Sequence, residues 1–133
     1  MQLAKINKKD GFSLIELMIV VAILGVLGAI GIKQYSGYVD NANITNTKNN
    51  LRIIFMQQQD YYRKNNQFYA SGAACSNATA AINTNLFNGQ NSIVDTKFYY
   101  CITQTNADNF TARAVENSGS RNFTINNLNV TNF

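Results

Sequence analysis

The sequence predicts an α+β chain in which one long N-terminal α-helix packs on a C-terminal antiparallel sheet of three to four strands. Three observations predict it. Residues 12–32 form an apolar run carrying a single charge, Glu16. From Gln34 the composition turns polar, yet apolar residues keep helical spacing to about Tyr62 and the chain has no proline. Beyond residue 96 the pattern changes to short aromatic and β-branched stretches separated by Asn, Ser and Gly turns.

The first element starts after a basic leader, Met1–Gly11, which includes Lys5, Lys8, Lys9 and Asp10. At 1.5 Å per helical residue, residues 12–32 span roughly 30 Å, the thickness of a bilayer's hydrocarbon core. Lys8 and Lys9 place the leader on the cytoplasmic side. A carboxylate four residues into such a segment needs a reason, because an unpaired charge at membrane depth costs at least ~2.5 kcal/mol. One reason is the positive end of the helix dipole, worth ~0.3–1 kcal/mol. Small residues at Gly28, Ala29 and Gly31 also leave open conventional signal cleavage behind the apolar run.

The stretch from Lys8-Lys9-Asp10-Gly11 through Phe12-Ser13-Leu14-Ile15-Glu16-Leu17-Met18-Ile19-Val20-Val21-Ala22-Ile23-Leu24-Gly25 closely resembles the class III signal and N-terminal helix of type IV pilins. The resemblance covers about the first quarter of the chain. It implies cleavage between Gly11 and Phe12 by prepilin peptidase, N-methylation of Phe12, and retention of the apolar helix. It also implies that Glu16 pairs with the N-terminal amine of a neighbouring subunit and sets the stagger of a filament. The implied boundaries are a leader at 1–11, a transmembrane and filament-core half-helix at 12–35, and a globular head at 36–133. Many pilins read Ile-Pro-Gln-Tyr where this chain has Ile32-Lys33-Gln34-Tyr35. Gly28 and Gly31, each about 1 kcal/mol worse than alanine in a helix interior, are candidates for softening the helix instead. Gly25 and Ala29 form a small-xxx-small pair suited to close helix contact.

The second half of the helix places Ile44, Leu51, Ile54, Phe55, Gln58 and Tyr62 near one face, to pack under the head. Tyr61, Tyr62, Phe68 and Tyr69 read as core. Residues 66–96 form a long connection with a short helix expected at Ala78–Ile82. A loop of that length in a small domain needs pinning. Cys75 and Cys101 are the only cysteines. In a cytosolic protein they would be two reduced thiols. Beyond a membrane signal they read as a disulfide, whose closure of a loop of about 27 residues contributes ~3 kcal/mol. Strands are expected at Lys97–Thr105, Asn109–Glu116 and Asn122–Asn127, with a further short one at Leu128–Thr131.

Composition limits the chemistry. With 133 residues and 46% hydrophobic side chains, one modest core is available. Formal net charge is +4, but without residues 1–11 only eight basic and six acidic side chains remain, too even a balance to imply nucleic acid. Histidine is absent, removing the commonest general base and zinc ligand. Asp40, Asp60, Asp95, Asp108 and Glu116 are scattered, without paired-carboxylate or calcium-loop spacing. No catalytic residue and no cofactor is therefore expected. Five Asn-x-Ser/Thr triplets carry no weight in a chain this rich in Asn and Thr.

The expected protein is a subunit that enters the bacterial inner membrane with its head outside the cytoplasm. There it would meet the pilus assembly machinery and polymerise, alone or with other pilins, into a surface filament for adhesion, motility or DNA uptake. The alternatives are a minor pilin that receives DNA through Arg113 and Arg121, a type II secretion pseudopilin, and an anchored head that never polymerises.

Overall fold

The computed structural model describes residues 11–133; the leader residues 1–10, including Lys8, Lys9 and Asp10, lie outside them. Helix α1 spans Leu14–Asn65, and α2 spans Thr79–Leu86. Strands β1 (Phe98–Thr103), β2 (Thr111–Glu116) and β3 (Asn122–Asn126) form one antiparallel sheet in the order β1-β2-β3. The described residues divide into two compact units, one ending at Asp40 and the other Asn41–Phe133.

In the first unit α1 is uninterrupted through Gly25, Gly28, Gly31 and Lys33. It starts two residues later than the apolar run, because Phe12 and Ser13 remain outside the helix. Every large apolar side chain from Phe12 to Ile32 is exposed. A methyl group added at Gly25, Gly28 or Gly31 would meet nothing within 4 Å among the described residues.

In the second unit α1 ends at Asn65, where Asn66 takes a positive φ of 55°, a left-handed residue closing the helix. Leu51 and Ile54 are fully buried, joined by Phe68, Ile82, Phe98, Tyr100, Ile102, Phe110, Ala112, Ala114 and Ile125. Along β2 the residues Ala112 and Ala114 point inward and Arg113 outward, as strand alternation requires. The aromatic group is core: Tyr62 lies 4.6 Å from Phe68, which lies 4.8 Å from Phe110, ring centre to ring centre.

Several boundaries differ from the expectation, α1 running on to Asn65 rather than ending at about Tyr62. The short helix occupies Thr79–Leu86 rather than Ala78–Ile82: Ala78 is its N-cap, with a non-helical φ of −121°, its carbonyl accepting from the Ile82 N–H and its own N–H donating to the Tyr100 carbonyl on β1, each at 2.9 Å. The strands are trimmed at their ends. The strand expected at Leu128–Thr131 reduces to one bridge, Thr131 to Ile125. The Asn126 side chain accepts from the N–H groups of Leu128 and Val130 and turns the chain there.

The long connection is pinned at several points. Cys75 and Cys101 form a disulfide with Cα atoms 5.3 Å apart. The buried Gln58 amide donates to the Tyr69 carbonyl (2.7 Å) and accepts from the Tyr69 N–H (2.9 Å). The Asn83 amide does the same to Ile93, at 2.9 and 3.0 Å. Such two-way amide contacts satisfy backbone groups that otherwise have no ladder partner.

Candidate functional site

Among the described residues, one region combines an unexplained charge with a large unsatisfied surface, the start of α1. Ser13 occupies the N-cap position and Glu16 is the third helical residue. The Ser13 N–H donates to Glu16 Oε2 at 2.8 Å, and the Leu17 N–H donates to the Ser13 carbonyl at 3.2 Å. This is the acidic half of a capping box, Ser-x-x-Glu, in which the side chain satisfies a donor at the helix end. The motif stands in the sequence as Ser13-x-x-Glu16, a signal for the cap that is independent of the dipole and of a partner amine. Gly11 and Phe12 lie ahead of the helix in an open segment, with Phe12 80% exposed.

The cap removes part of the cost of Glu16 by satisfying one lone pair. The remaining carboxylate oxygen and the exposed helix face are open to a partner. Chemically the segment is an apolar rod with one anion at its end, suited to a bilayer or to packing against similar helices that bring a cation.

The other predicted residues fall in the second unit. Cys101 is fully buried on β1, and Cys75 sits half-buried on the connection. Arg113 is exposed on the outer face of β2. Arg121 is held by the buried Glu116 in a two-pronged pair, Nε to Oε2 at 3.0 Å and Nη2 to Oε1 at 2.8 Å. That guanidinium beside Glu116 holds its carboxyl below the usual carboxylate range. Arg113 and Arg121 are thus not equivalent: one is presented to solvent, and the other is engaged in closing the β2–β3 turn.

A polar centre that the sequence did not reveal joins α1 to β1. Asp95 Oδ2 accepts from Thr47 Oγ1 and Tyr100 Oη, both at 2.9 Å, while its Oδ1 accepts from the N–H groups of Lys97 and Phe98. Asn50 donates to Tyr100 Oη at 3.0 Å. Burial pushes the Tyr100 phenol well above its ordinary range, so it stays a donor at any physiological pH. Four donors converging on one carboxylate make this a structural joint. Among the described residues, no group of three or more His, Cys, Asp or Glu side chains is gathered to hold a metal ion.

The features so far define a class: a chain with an exposed, acid-capped apolar helix and a small disulfide-bonded α+β head. Residues 6–32 match the prokaryotic N-terminal methylation motif. The chain is similar to the type IV major pilin protein PilA of Myxococcus xanthus, 33% identical over 69 residues, which is 51% of this chain and 31% of that protein. It is 57% identical over 37 residues to the type IV major fimbrial protein FimA of Dichelobacter nodosus, covering 28% of this chain and 24% of the other. It is also 38% identical over 65 residues to the type II secretion system core protein G of Pseudomonas aeruginosa, 49% of this chain and 45% of that one. The chain spans less than half the length of each of these relatives. Motif and relatives together support a type IV pilin.

Proposed function

We propose that this chain is the structural subunit of a type IV pilus. It is inserted in the inner membrane through α1, cleaved after Gly11 by prepilin peptidase, methylated on Phe12, and polymerised with copies of itself or other pilins into a surface filament. The observation that carries this reading is the exposed apolar helix headed by Glu16 within a segment matching the methylation motif. Gly11 and Phe12 lie outside the helix, which suits them to a peptidase. Cleavage creates an amine on Phe12, and methylation keeps its charge. Glu16 then exchanges part of its cap for the amine of a neighbouring subunit and sets the axial stagger. In this reading the leader is 1–11, the membrane and filament-core segment 12–35, and the head 36–133. The chain acts as a substrate of processing rather than as an enzyme. Filaments of this kind serve adhesion, motility or DNA uptake.

The similarity to a secretion core protein favours one second reading, a pseudopilin of a type II secretion system. A DNA-receptor role would rest on the exposed Arg113 more than on Arg121, whose guanidinium already serves Glu116. Intact mass and N-terminal sequencing of the protein sheared from cell surfaces distinguish these readings. The pilus reading expects an abundant subunit beginning at methylated Phe12 and carrying the mass deficit of one disulfide. A chain still beginning at Met1, or absent from the sheared fraction of a piliated cell, overturns it.

A further inference from the structure

The two edges of the sheet are closed by different means. On β1 the loop supplies the partners: Ser71 N–H donates to the Ile102 carbonyl and Ser71 Oγ accepts from the Ile102 N–H, both at 2.8 Å. Thr79 Oγ1 accepts from the Tyr100 N–H at 3.0 Å. The Cys75–Cys101 disulfide ties that loop to the strand covalently. On β3 the partners come from the following segment, and no covalent tie holds it. Asn132 Oδ1 accepts from the Thr124 N–H at 2.8 Å, the Asn132 N–H reaches the Thr124 carbonyl at 3.4 Å, and Asn132 Nδ2 reaches the Asn122 carbonyl at 3.3 Å. Phe133 packs edge-on against Phe123, with ring centres 5.9 Å apart. Between these contacts Leu128 and Val130 are exposed.

The strand beneath this strap is self-complementary. Asn122-Phe123-Thr124-Ile125-Asn126 reads almost alike in both directions and contains no charge and no proline. Two copies aligned antiparallel about Thr124 would set Thr opposite Thr, Phe opposite Ile, and Asn opposite Asn. These include the Thr–Thr and aromatic–β-branched pairings that favour a ladder. The backbone groups of Thr124 that Asn132 occupies are those that would exchange hydrogen bonds across the two-fold axis. An uncharged edge of this kind is one that proteins normally block.

We propose that residues 128–133 guard a self-complementary edge, and that releasing them lets β3 pair antiparallel with β3 of a second copy, centred on Thr124. The groups involved all lie within Asn41–Phe133, so the proposal does not depend on the filament reading. The test uses the full chain in detergent micelles carrying Thr124→Cys, with and without Asn132→Ala and Phe133→Ala. Oxidative cross-linking is read on non-reducing gels, and exchange of the residue-124 amide is read on dilute monomer before oxidation, where no second strand re-protects it. Losing the Asn132 hydrogen bonds should raise the covalent dimer and the residue-124 exchange rate by roughly tenfold or more. In the loosened background Asn122→Cys and Asn126→Cys should cross-link to each other when mixed and not to themselves, a pattern that association through α1 would not give. Equal dimer yield with and without the strap substitutions overturns the proposal. So does an opened residue-124 amide without register-specific cross-links, and so does an amide that stays protected in the dilute monomer.

Discussion

The chain from Phe12 to Ile32 and the unit from Asn41 onward treat their side chains in opposite ways. In the first, apolar residues are exposed along the whole helix and Glu16 is half satisfied by its own backbone. In the second, Leu51 and Ile54 are buried, and so are the polar side chains of Thr47, Gln58, Asn83 and Glu116. Among the described residues no buried side-chain nitrogen or oxygen lacks a partner. The second unit is finished as a fold; the first is finished only by something outside the chain. In the proposed function a bilayer supplies those surroundings first, and neighbouring helices supply them in a filament. Lipid tails are as apolar as leucine, so moving α1 from one to the other gains little from hydrophobic burial. On that proposal, packing and the pairing of Glu16 are left to decide assembly.

The contrast can be broken from the side of the head. Replacing Cys75 and Cys101 by serine should cost about 3 kcal/mol, a fall in melting temperature of roughly 15 °C for a unit of this size, while the helicity of α1 persists. Thermal melts followed by near- and far-ultraviolet circular dichroism check both parts. Gln58→Leu keeps the volume but strands the Tyr69 N–H and carbonyl, and should cost about 2 kcal/mol by urea denaturation.

The Glu116–Arg121 pair adds a pH dependence. Glu116 is held below its unfolded value, so its contribution is present above the ordinary carboxylate range and disappears as pH falls through the depressed folded value. Arg121→Met should flatten the acid-side loss of stability, measured as urea midpoints from about pH 6 to about pH 3. The smallest effect is expected at Lys48, whose ammonium lies 5.2 Å from the Phe123 ring centre and 5.4 Å from that of Phe133. Lys48→Met should cost about 0.5 kcal/mol, detectable in the same urea series.

The elements legible in the sequence were those with a local period. The α1 stripe through Leu51, Ile54 and Gln58 and the alternation of Phe110, Ala112 and Ala114 can each be read without knowing what they pack against. The pins of the connection are different in kind. Gln58 finds Tyr69, Asn83 finds Ile93, and Asp95 finds Thr47, pairings between distant positions that leave no periodic trace. Leu128 and Val130 alternate like a strand, yet the Asn126 side chain turns the chain before a ladder forms. At the candidate site Glu16 was legible as an anomaly. Its cap is legible too, as Ser13-x-x-Glu16, but only where the acid is weighed as a local acceptor as well as a partner for a distant amine.

That cap makes the central claim sharply testable. Glu16→Gln keeps an acceptor for the Ser13 N–H and removes only the charge, whereas Glu16→Ala removes both. The deciding measurement is the yield of sheared surface filaments from each variant, normalised to processed, disulfide-bonded subunit in the membrane. If Glu16 serves assembly by pairing with a neighbour's amine, both variants are processed and folded, and both yield few filaments. Filaments at the wild-type yield from Glu16→Gln would show that the cap alone suffices and would contradict the account.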